Sequence, residues 1–267
     1  MSKRARIGLA VVFIAIAALI VGAAALQSAS VSIDNAHWAG YPMPPCFQNA
    51  KICGGHVLGT DENGRDLLAR LVVGSRTSLG ISFFTLLLEL IFGIALGALA
   101  RRGGSVVRFV ILRSTDALAS FPGWALVLAV MLLDWRTHRS AFWIGTVVIL
   151  TAALFSPHVV RLVAGSVERS RLFADLLAQA GRDAGQIILF LATVDFFGWG
   201  VQPPTPSLGN MLSNMQPNVE MAWWNAILPA LCIFAFVFPL QIAVRRLEAG
   251  HGRQDQMSGI HPSTSSG

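Results

Sequence analysis

Long apolar runs, separated by polar segments, dominate this chain. A helix that crosses a bilayer needs about 20 predominantly apolar residues, and runs of about that length recur along the whole sequence. The pattern predicts an all-α polytopic membrane protein with about six transmembrane helices. The predicted spans are residues 7–26, 79–100, 106–133, 142–163, 184–201 and 226–244.

The polar segments divide the chain into four parts. We expect an N-terminal transmembrane anchor, a periplasmic loop, a transmembrane core and a disordered cytoplasmic tail, at residues 1–27, 28–78, 79–248 and 249–267. A cleaved signal peptide is the alternative for the anchor, but the apolar region of a signal covers only about 7–15 residues. The longer run here favours an uncleaved first span.

Composition and charge agree with this arrangement. Hydrophobic residues make up 54% of the chain and charged residues 13%, whereas about 25% of a soluble domain is charged. Basic residues remain on the cytoplasmic side of a membrane, so their distribution predicts that both termini are cytoplasmic and explains the net charge of +6 without nucleic-acid binding. The basic clusters are Lys3, Arg4 and Arg6; Arg101, Arg102, Arg108 and Arg113; Arg161, Arg169, Arg171 and Arg182; and Arg245, Arg246 and Arg253.

Three polar blocks carry a resemblance to a known family. Residues 59–66 (GTDENGRD) form a turn-rich cluster before the second span, residues 116–123 read DALASFPG, and residues 198–212 read GWGVQPPTPSLGNML. Over roughly residues 56–245 the chain resembles the C-type permease subunits of oligopeptide and dipeptide ABC importers. The signature residues are Gly59, Thr60, Asp61, Gly64, Arg65 and Asp66 in the first block, and Gly198, Gly200, Gln202, Pro203 and Pro204 in the loop before the last span.

The resemblance implies a type I importer permease in a bacterial inner membrane, where it forms half of the pore for peptides or similar small solutes. The implied partners are a second permease subunit, two cytoplasmic ATPases, a periplasmic or lipid-anchored solute-binding protein and membrane lipid, with no cofactor. An ATPase site within this chain is not expected. A P-loop requires a Gly-Lys-Ser/Thr end, but Lys3 is followed by Arg and Lys51 by Ile.

The resemblance further implies a coupling helix at residues 168–186, docking on the ATPase. Phe173 and Leu176 are its expected anchors, Asp175 stands where the family carries a glutamate, and Gly181 is expected to permit a turn into the fifth span. Taken alone, the segment is an amphipathic interfacial helix. The stretch after Gly181 is shorter than in the family, which leaves a degenerate, non-transporting subunit as one alternative.

Two acidic residues interrupt the predicted spans, Glu89 in the second and Asp195 in the fifth. Charges inside a membrane are costly and mark a function or a buried pair. The alternatives are a pore or proton-relay role and an interhelical contact, and a gradient-driven secondary transporter is the alternative function. Gly93 and Gly97 form a Gly-x-x-x-Gly pair that predicts close helix packing.

Cys46 and Cys53 lie in the predicted periplasmic loop. A disulfide persists outside a bacterial inner membrane, and these two cysteines are candidates for one. A mixed site with His37 and His56 is the alternative, but the separations match no standard zinc pattern, and we expect no metal. Cys232 falls in the sixth span, where packing is the expected role.

Overall fold

In a computed structural model, the described parts of the chain are residues 42–46, 56–133, 141–166, 169–214 and 220–259. Within those ranges there are helices and connecting turns but no strand, so the predicted all-α class is confirmed. The helices are α1 (Leu67–Arg102), α2 (Ser105–Ser120), α3 (Gly123–Leu133), α4 (Ala141–Gly165), α5 (Arg169–Phe196), α6 (Leu208–Ser213) and α7 (Trp224–Gly259).

Within the described residues, three segments are long and apolar enough to cross a membrane: Leu67–Arg102, Trp143–Gly165 and Trp224–Arg245. They contain the second, fourth and sixth predicted spans. The third predicted span is divided between α2 and α3, because Pro122 lacks an amide hydrogen and disfavours helical backbone in the residue before it. The first predicted span, 7–26, lies outside the described residues.

Helix α1 begins well before the predicted start of its span. Asp66 is its N-cap, and the Asp66 side chain accepts a hydrogen bond from the Ala69 amide at 2.8 Å. From Leu67 the helix runs for 36 residues, which is about 54 Å at 1.5 Å per residue. Since a hydrocarbon core is about 30 Å thick, α1 projects beyond the apolar layer.

Close contact between α1 and α4 organises the bundle. A Cβ atom added at Gly97 would lie 2.6 Å from Val163 Cβ, and one at Gly93 would overlap the side chain of Val159. Neither position has room for a larger side chain unless the helices move apart. The close packing predicted from the Gly-x-x-x-Gly pair is therefore confirmed.

Helix α5 is continuous from Arg169 to Phe196, 28 residues. It joins the predicted coupling segment to the fifth span, and the predicted turn at Gly181 is wrong. A single glycine costs an α-helix only about 1 kcal/mol, and the flanking residues are mostly good helix formers. Gly181 instead permits contact with α7, where an added Cβ would lie 2.5 Å from Val244 Cγ2.

Helix α7 contains Pro229 and Pro239 and continues to Gly259. It therefore extends past residue 248, where the polar composition predicts the start of a disordered tail. The residues directly after Val244 are Arg245, Arg246, Leu247, Glu248 and Ala249, and all of these residue types are favourable in helices, so polarity alone is a poor guide to where this helix ends. Residues 260–267 lie outside the described part of the chain.

The bundle has two ends that differ in composition. At the loop end, where α1 begins and α5 ends, Trp143 Nε1 of α4 donates to the Trp199 carbonyl at 2.8 Å. At the opposite, arginine end, Arg101 of α1 donates to Ser166 Oγ at 3.4 Å. We define the arginine end by Arg101, Arg102, Arg108 and Arg169, which lie where α1 ends and where α2 and α5 begin.

We predict that Gly93→Ala will destabilise the protein by about 1–3 kcal/mol, because overpacking strains a close helix contact. The measurement is the melting temperature in detergent, which should fall by several degrees. Gly80→Ala is the matched control on the same helix, since a Cβ there meets no atom within 4 Å. Equal melting temperatures for the two variants would contradict the packing described.

Candidate functional site

The residues of the first sequence block form a compact turn around one carboxylate. Asp61 Oδ1 accepts hydrogen bonds from the amides of Asn63 at 2.9 Å and Arg65 at 2.8 Å. Its Oδ2 pairs with Arg65 Nε at 2.7 Å and with Arg70 Nε at 3.1 Å. Asp61 is only 3% exposed, so these contacts compensate for burying its charge.

Glu62 stands next to this carboxylate and is partly buried. Its nearest cation is Arg65, whose Nη2 lies 3.5 Å from Glu62 Oε1. Burial raises the pKa of Glu62 above its ordinary value, and the neighbouring Asp61 carboxylate raises this pKa further. Glu62 is thus a weaker partner for the arginines than Asp61.

The rest of this turn is fastened to the start of α1. Asp66 Oδ2 lies 2.8 Å from His56 Nδ1 while Oδ1 caps the helix, and Thr60 Oγ1 accepts from the Met43 amide at 2.8 Å. Gly59 and Gly64 have φ values of +78° and +74°, a backbone region that L side chains rarely adopt. The six signature residues of this block are therefore one structural unit.

The second block, residues 198–212, folds over the end of α5. Asp195 Oδ1 accepts from the Val201 amide at 2.8 Å, and Asp195 is buried. Gly198, with φ +78°, turns the chain out of the helix, and Gly200 lies so close to Asp195 that a Cβ would overlap the carboxylate. Asp195 is therefore the anchor of this loop.

Asn210 holds the remainder of the loop together. Its Nδ2 donates to the carbonyls of Val201 at 3.1 Å and Thr205 at 2.9 Å. Its Oδ1 accepts from the Ser207 amide at 2.8 Å, and Ser207 Oγ accepts from the Asn210 amide at 3.1 Å, a capping box at the start of α6. Every polar atom of this buried amide side chain has a partner.

The other signature residues of the second block lie at its exposed edge. Gln202 Nε2 donates to the Gly198 carbonyl at 2.7 Å and to the Gly200 carbonyl at 3.2 Å. Pro203 and Pro204 are exposed. Because they make no packed contact that fixes the loop, they are free to form part of a surface.

The two blocks meet at the loop end. The Leu208 amide donates to Ser78 Oγ of α1 at 3.0 Å, although 130 positions separate them. A small cavity lies where the blocks meet, lined by Asp61, Glu62, Leu67, Arg70, Met211, Asn214 and Asn225. The first turns of α1, helix α6 and the start of α7 therefore form one surface.

The predicted coupling residues lie near the start of α5, at the arginine end. Phe173 is 75% exposed, Asp175 is exposed and Leu176 is half-buried. Gly181 lies two turns further along, against α7. The structure therefore gathers the first three on an accessible helical turn and separates Gly181 from them.

The two predicted intramembrane charges are not neighbours. Glu89 of α1 is fully buried, and within the described residues neither of its carboxylate oxygens has a hydrogen-bond partner, whereas Asp195 belongs to the loop end. Asp183 of α5, Gln179 of α5 and His158 of α4 were not predicted as site residues. The signal available in the sequence is the i, i+4 spacing of Gln179 and Asp183, whose side chains hydrogen-bond at 2.8 and 2.9 Å.

Cysteine positions bear on the predicted disulfide. Cys46 is disulfide-bonded, and Cys232 in α7 is free. Cys53 and His37 lie outside the described residues, so the pairing of Cys46 with Cys53 stays a prediction. His56, the other alternative metal ligand, contacts Asp66.

Comparison with known proteins finds relatives that are named as transport system permease proteins. The chain is 34% identical to the di/tripeptide transport system permease protein DppC of Pseudomonas aeruginosa, over 70% of this chain and 68% of that protein. It is 31% identical to the dipeptide transport system permease protein DppC of Haemophilus influenzae, over 70% of each chain. It is 29% identical to the glutathione transport system permease protein GsiD of Pectobacterium atrosepticum, over 78% of each. No family model matches the chain.

We expect Asp61→Asn to loosen the first block, because it leaves two arginines near a neutral amide in a buried site. Breaking a buried pair costs about 3–5 kcal/mol, and faster amide hydrogen exchange at residues 59–70 is the readout. Glu62→Gln is the control, since its contacts with Arg65 Nη2 at 3.5 Å and Asn63 Nδ2 at 3.3 Å are both long, and such an ion pair contributes at most about 1 kcal/mol. If the control perturbs exchange as much as Asp61→Asn, Asp61 is not the centre of the turn.

Proposed function

The chain belongs to the family of peptide-transport permease proteins, and from that membership we propose that it forms half of the solute pathway of an ATP-driven importer. It is a multi-pass membrane permease subunit, and peptides or similar small solutes are the proposed cargo. The likeness to di/tripeptide and dipeptide permeases over 70% of the chain carries the proposal. The membrane-spanning helices support it.

ATP hydrolysis is assigned to other polypeptides. A P-loop lysine must be followed by Ser or Thr, and neither lysine of this chain satisfies that requirement. The proposed complex contains a second permease subunit, two cytoplasmic ATPases and a solute-binding protein, with this chain in a purely conducting role. Extensive exposed apolar surface on α1 and α2 is suited to lipid or to the second permease.

The proposed orientation places the arginine end in the cytoplasm. Basic residues near span ends remain on that side, and the loop 202–222 at the opposite end has neither Lys nor Arg. Both termini are then cytoplasmic. The surface formed by the two sequence blocks faces the periplasm, where the solute-binding protein delivers its cargo.

Energy coupling is proposed to pass through α5. An exposed Phe173 beside the charged Asp175 resembles the aromatic anchors that dominate protein interfaces. Because α5 has no break at Gly181, movement imposed at Phe173 reaches the loop end through one rigid helix. Contact of Gly181 with Val244 transmits that movement to α7 as well.

A proton relay between Glu89 and Asp195 receives no support from the geometry. Glu89 lies on α1 and Asp195 near the end of α5, and within the described part of the chain neither oxygen of Glu89 has a hydrogen-bond partner. Asp195 moreover accepts a hydrogen bond from the Val201 amide, which fixes the loop end. The gradient-driven alternative therefore lacks a path between its two proposed carriers.

Cysteine labelling tests the orientation. In a chain whose three native cysteines are replaced by serine, Thr205→Cys at the loop end should react with an impermeant thiol reagent added outside intact cells. Ser105→Cys, at the arginine end, should react only after the membrane is opened. Both positions are exposed, so accessibility within the fold does not differ. Labelling of Ser105→Cys from outside would invert the proposed orientation.

The coupling proposal predicts that Phe173→Ala lowers solute-stimulated ATP hydrolysis of the reconstituted complex by about tenfold, equivalent to about 1.4 kcal/mol at the interface. Thermal stability should not change, because Phe173 is 75% exposed. Leu189→Ala is the control, an exposed apolar residue on the same helix within the fifth span. If solute stimulates ATP hydrolysis as strongly in Phe173→Ala as in the wild type, this turn is not part of the coupling path.

A further inference from the structure

The third sequence block, residues 116–123 (DALASFPG), begins with a carboxylate that joins two arginines. Asp116 lies on α2, and its Oδ1 is 3.0 Å from Arg161 Nη2 of α4. Its Oδ2 is 3.8 Å from Arg113 Nη1, one turn earlier on α2. We call these three residues the α2–α4 charge group. Nothing in the proposed transport cycle uses it.

The charges of this group are not balanced. Two guanidinium groups share one carboxylate, and within the described residues no other carboxylate pairs with Arg113 or Arg161. Their side chains are 69% and 46% exposed, and that of Asp116 is 46% exposed. Ion pairs as open as these contribute little to folding, so both arginines can bind a further anion.

The α2–α4 charge group lies near the arginine end, where the bundle meets the membrane surface. Arg161 is one turn before the end of α4 at Gly165. The guanidinium carbon of Arg113 is 5.5 Å from the centre of the Phe109 ring, so this side chain is directed back toward the start of α2. Long arginine side chains reach the level of the lipid headgroups in this way.

Exposed apolar side chains lie on both sides of the group along the helix direction. Phe109 and Val110 precede it, Phe121 and Trp124 follow it toward the middle of the membrane, and all four are more than half exposed. A soluble anion reaches such a surface poorly, whereas a phospholipid carries its phosphate at the end of apolar chains. A single packed protein helix would cover one side of α2, but all six residues of the range 105–110 are exposed, which suits a lipid environment.

We propose that Arg113 and Arg161 bind the phosphate group of an anionic phospholipid. Guanidinium groups bind phosphate oxygens through pairs of charge-assisted hydrogen bonds. An anionic headgroup supplies the one negative charge that the α2–α4 charge group lacks, whereas a zwitterionic headgroup would leave the group with a net positive charge. The bound lipid links α2 to α4 at the arginine end. This inference rests on the location of the chain in a membrane and not on its cargo or on ATP.

Lipid binding to the purified full chain in non-ionic detergent tests the proposal, with native mass spectrometry as the measurement. Phosphatidylglycerol should bind at least about tenfold more tightly than phosphatidylcholine. Arg113→Gln should lower the affinity for phosphatidylglycerol by about tenfold, through the loss of a charge-assisted hydrogen bond. Its melting temperature without added lipid should not change, because Arg113 is exposed and its ion pair is long.

Arg108→Gln is the matched control. It removes the same charge from an exposed position of the same helix, but five positions place Arg108 about 140° around the helix axis from Arg113. Arg108→Gln should keep the affinity of the wild type for phosphatidylglycerol. Equal losses in Arg108→Gln and Arg113→Gln would show a general attraction of positive charge, and the proposed site would be wrong.

Other occupants give different results. Equal binding of phosphatidylglycerol and phosphatidylcholine would contradict selection by headgroup charge, and displacement of phosphatidylglycerol by excess inorganic phosphate would assign the arginines to a soluble anion. In intact cells, a photoreactive amino acid in place of Val110 should cross-link to lipid. Cross-linking to a polypeptide instead would show that a protein covers this surface and would overturn the proposal. Each result can be obtained whether or not the complex transports peptides.

Discussion

The burial of polar groups between helices is the constraint on which this structure depends. In a membrane there is no water to hydrogen-bond a carboxylate or an amide left inside the bundle, so an unmatched group is costly. Asp195 is matched by the Val201 amide, and Asp61 is matched by Arg65 and Arg70. Each of these matches also fixes a loop to a helix.

These hydrogen bonds and ion pairs explain why the loop end has a defined structure although much of its backbone is outside helices. Asn210 alone connects three backbone groups of the second block, and Ser78 ties that block to α1. The two blocks that carry the family resemblance therefore form one scaffold at one end of the molecule. The surface that we propose to meet a solute-binding protein is thus held by backbone and side-chain hydrogen bonds.

Helix α5 joins this scaffold to the arginine end. Its first turns carry the exposed Phe173, its middle carries the buried Asp183, and its last turn carries Asp195. A continuous helix transmits displacement along its length, whereas a turn at Gly181 would have absorbed part of it. The shortened sequence in this region is thus compatible with the proposed coupling, because the segment forms one continuous helix.

Several features of the fold follow from local sequence. The spacing of Gly93 and Gly97 predicts a close helix contact, since this signal depends on neighbouring positions only. Apolar runs likewise predict where the described spans lie. They do not predict where α1 begins or where α7 ends, because polar residues continue each helix there.

Other features depend on contacts that local sequence does not encode. The hydrogen bond from the Leu208 amide to Ser78 Oγ joins positions that are 130 residues apart, and no local pattern predicts it. Gly181 fits a turn or a close approach equally well, and only the position of Val244 on α7 decides between them. Tertiary packing of distant helices determined both outcomes.

The central claim is that this chain conducts peptides in a complex driven by ATP. Its most direct test is uptake of a labelled dipeptide into vesicles that contain the complete complex, with the solute-binding protein outside and ATP inside. The account predicts uptake that requires both ATP and this chain and that persists when ion gradients are collapsed. Uptake that proceeds without ATP and stops when the proton gradient is removed would contradict it.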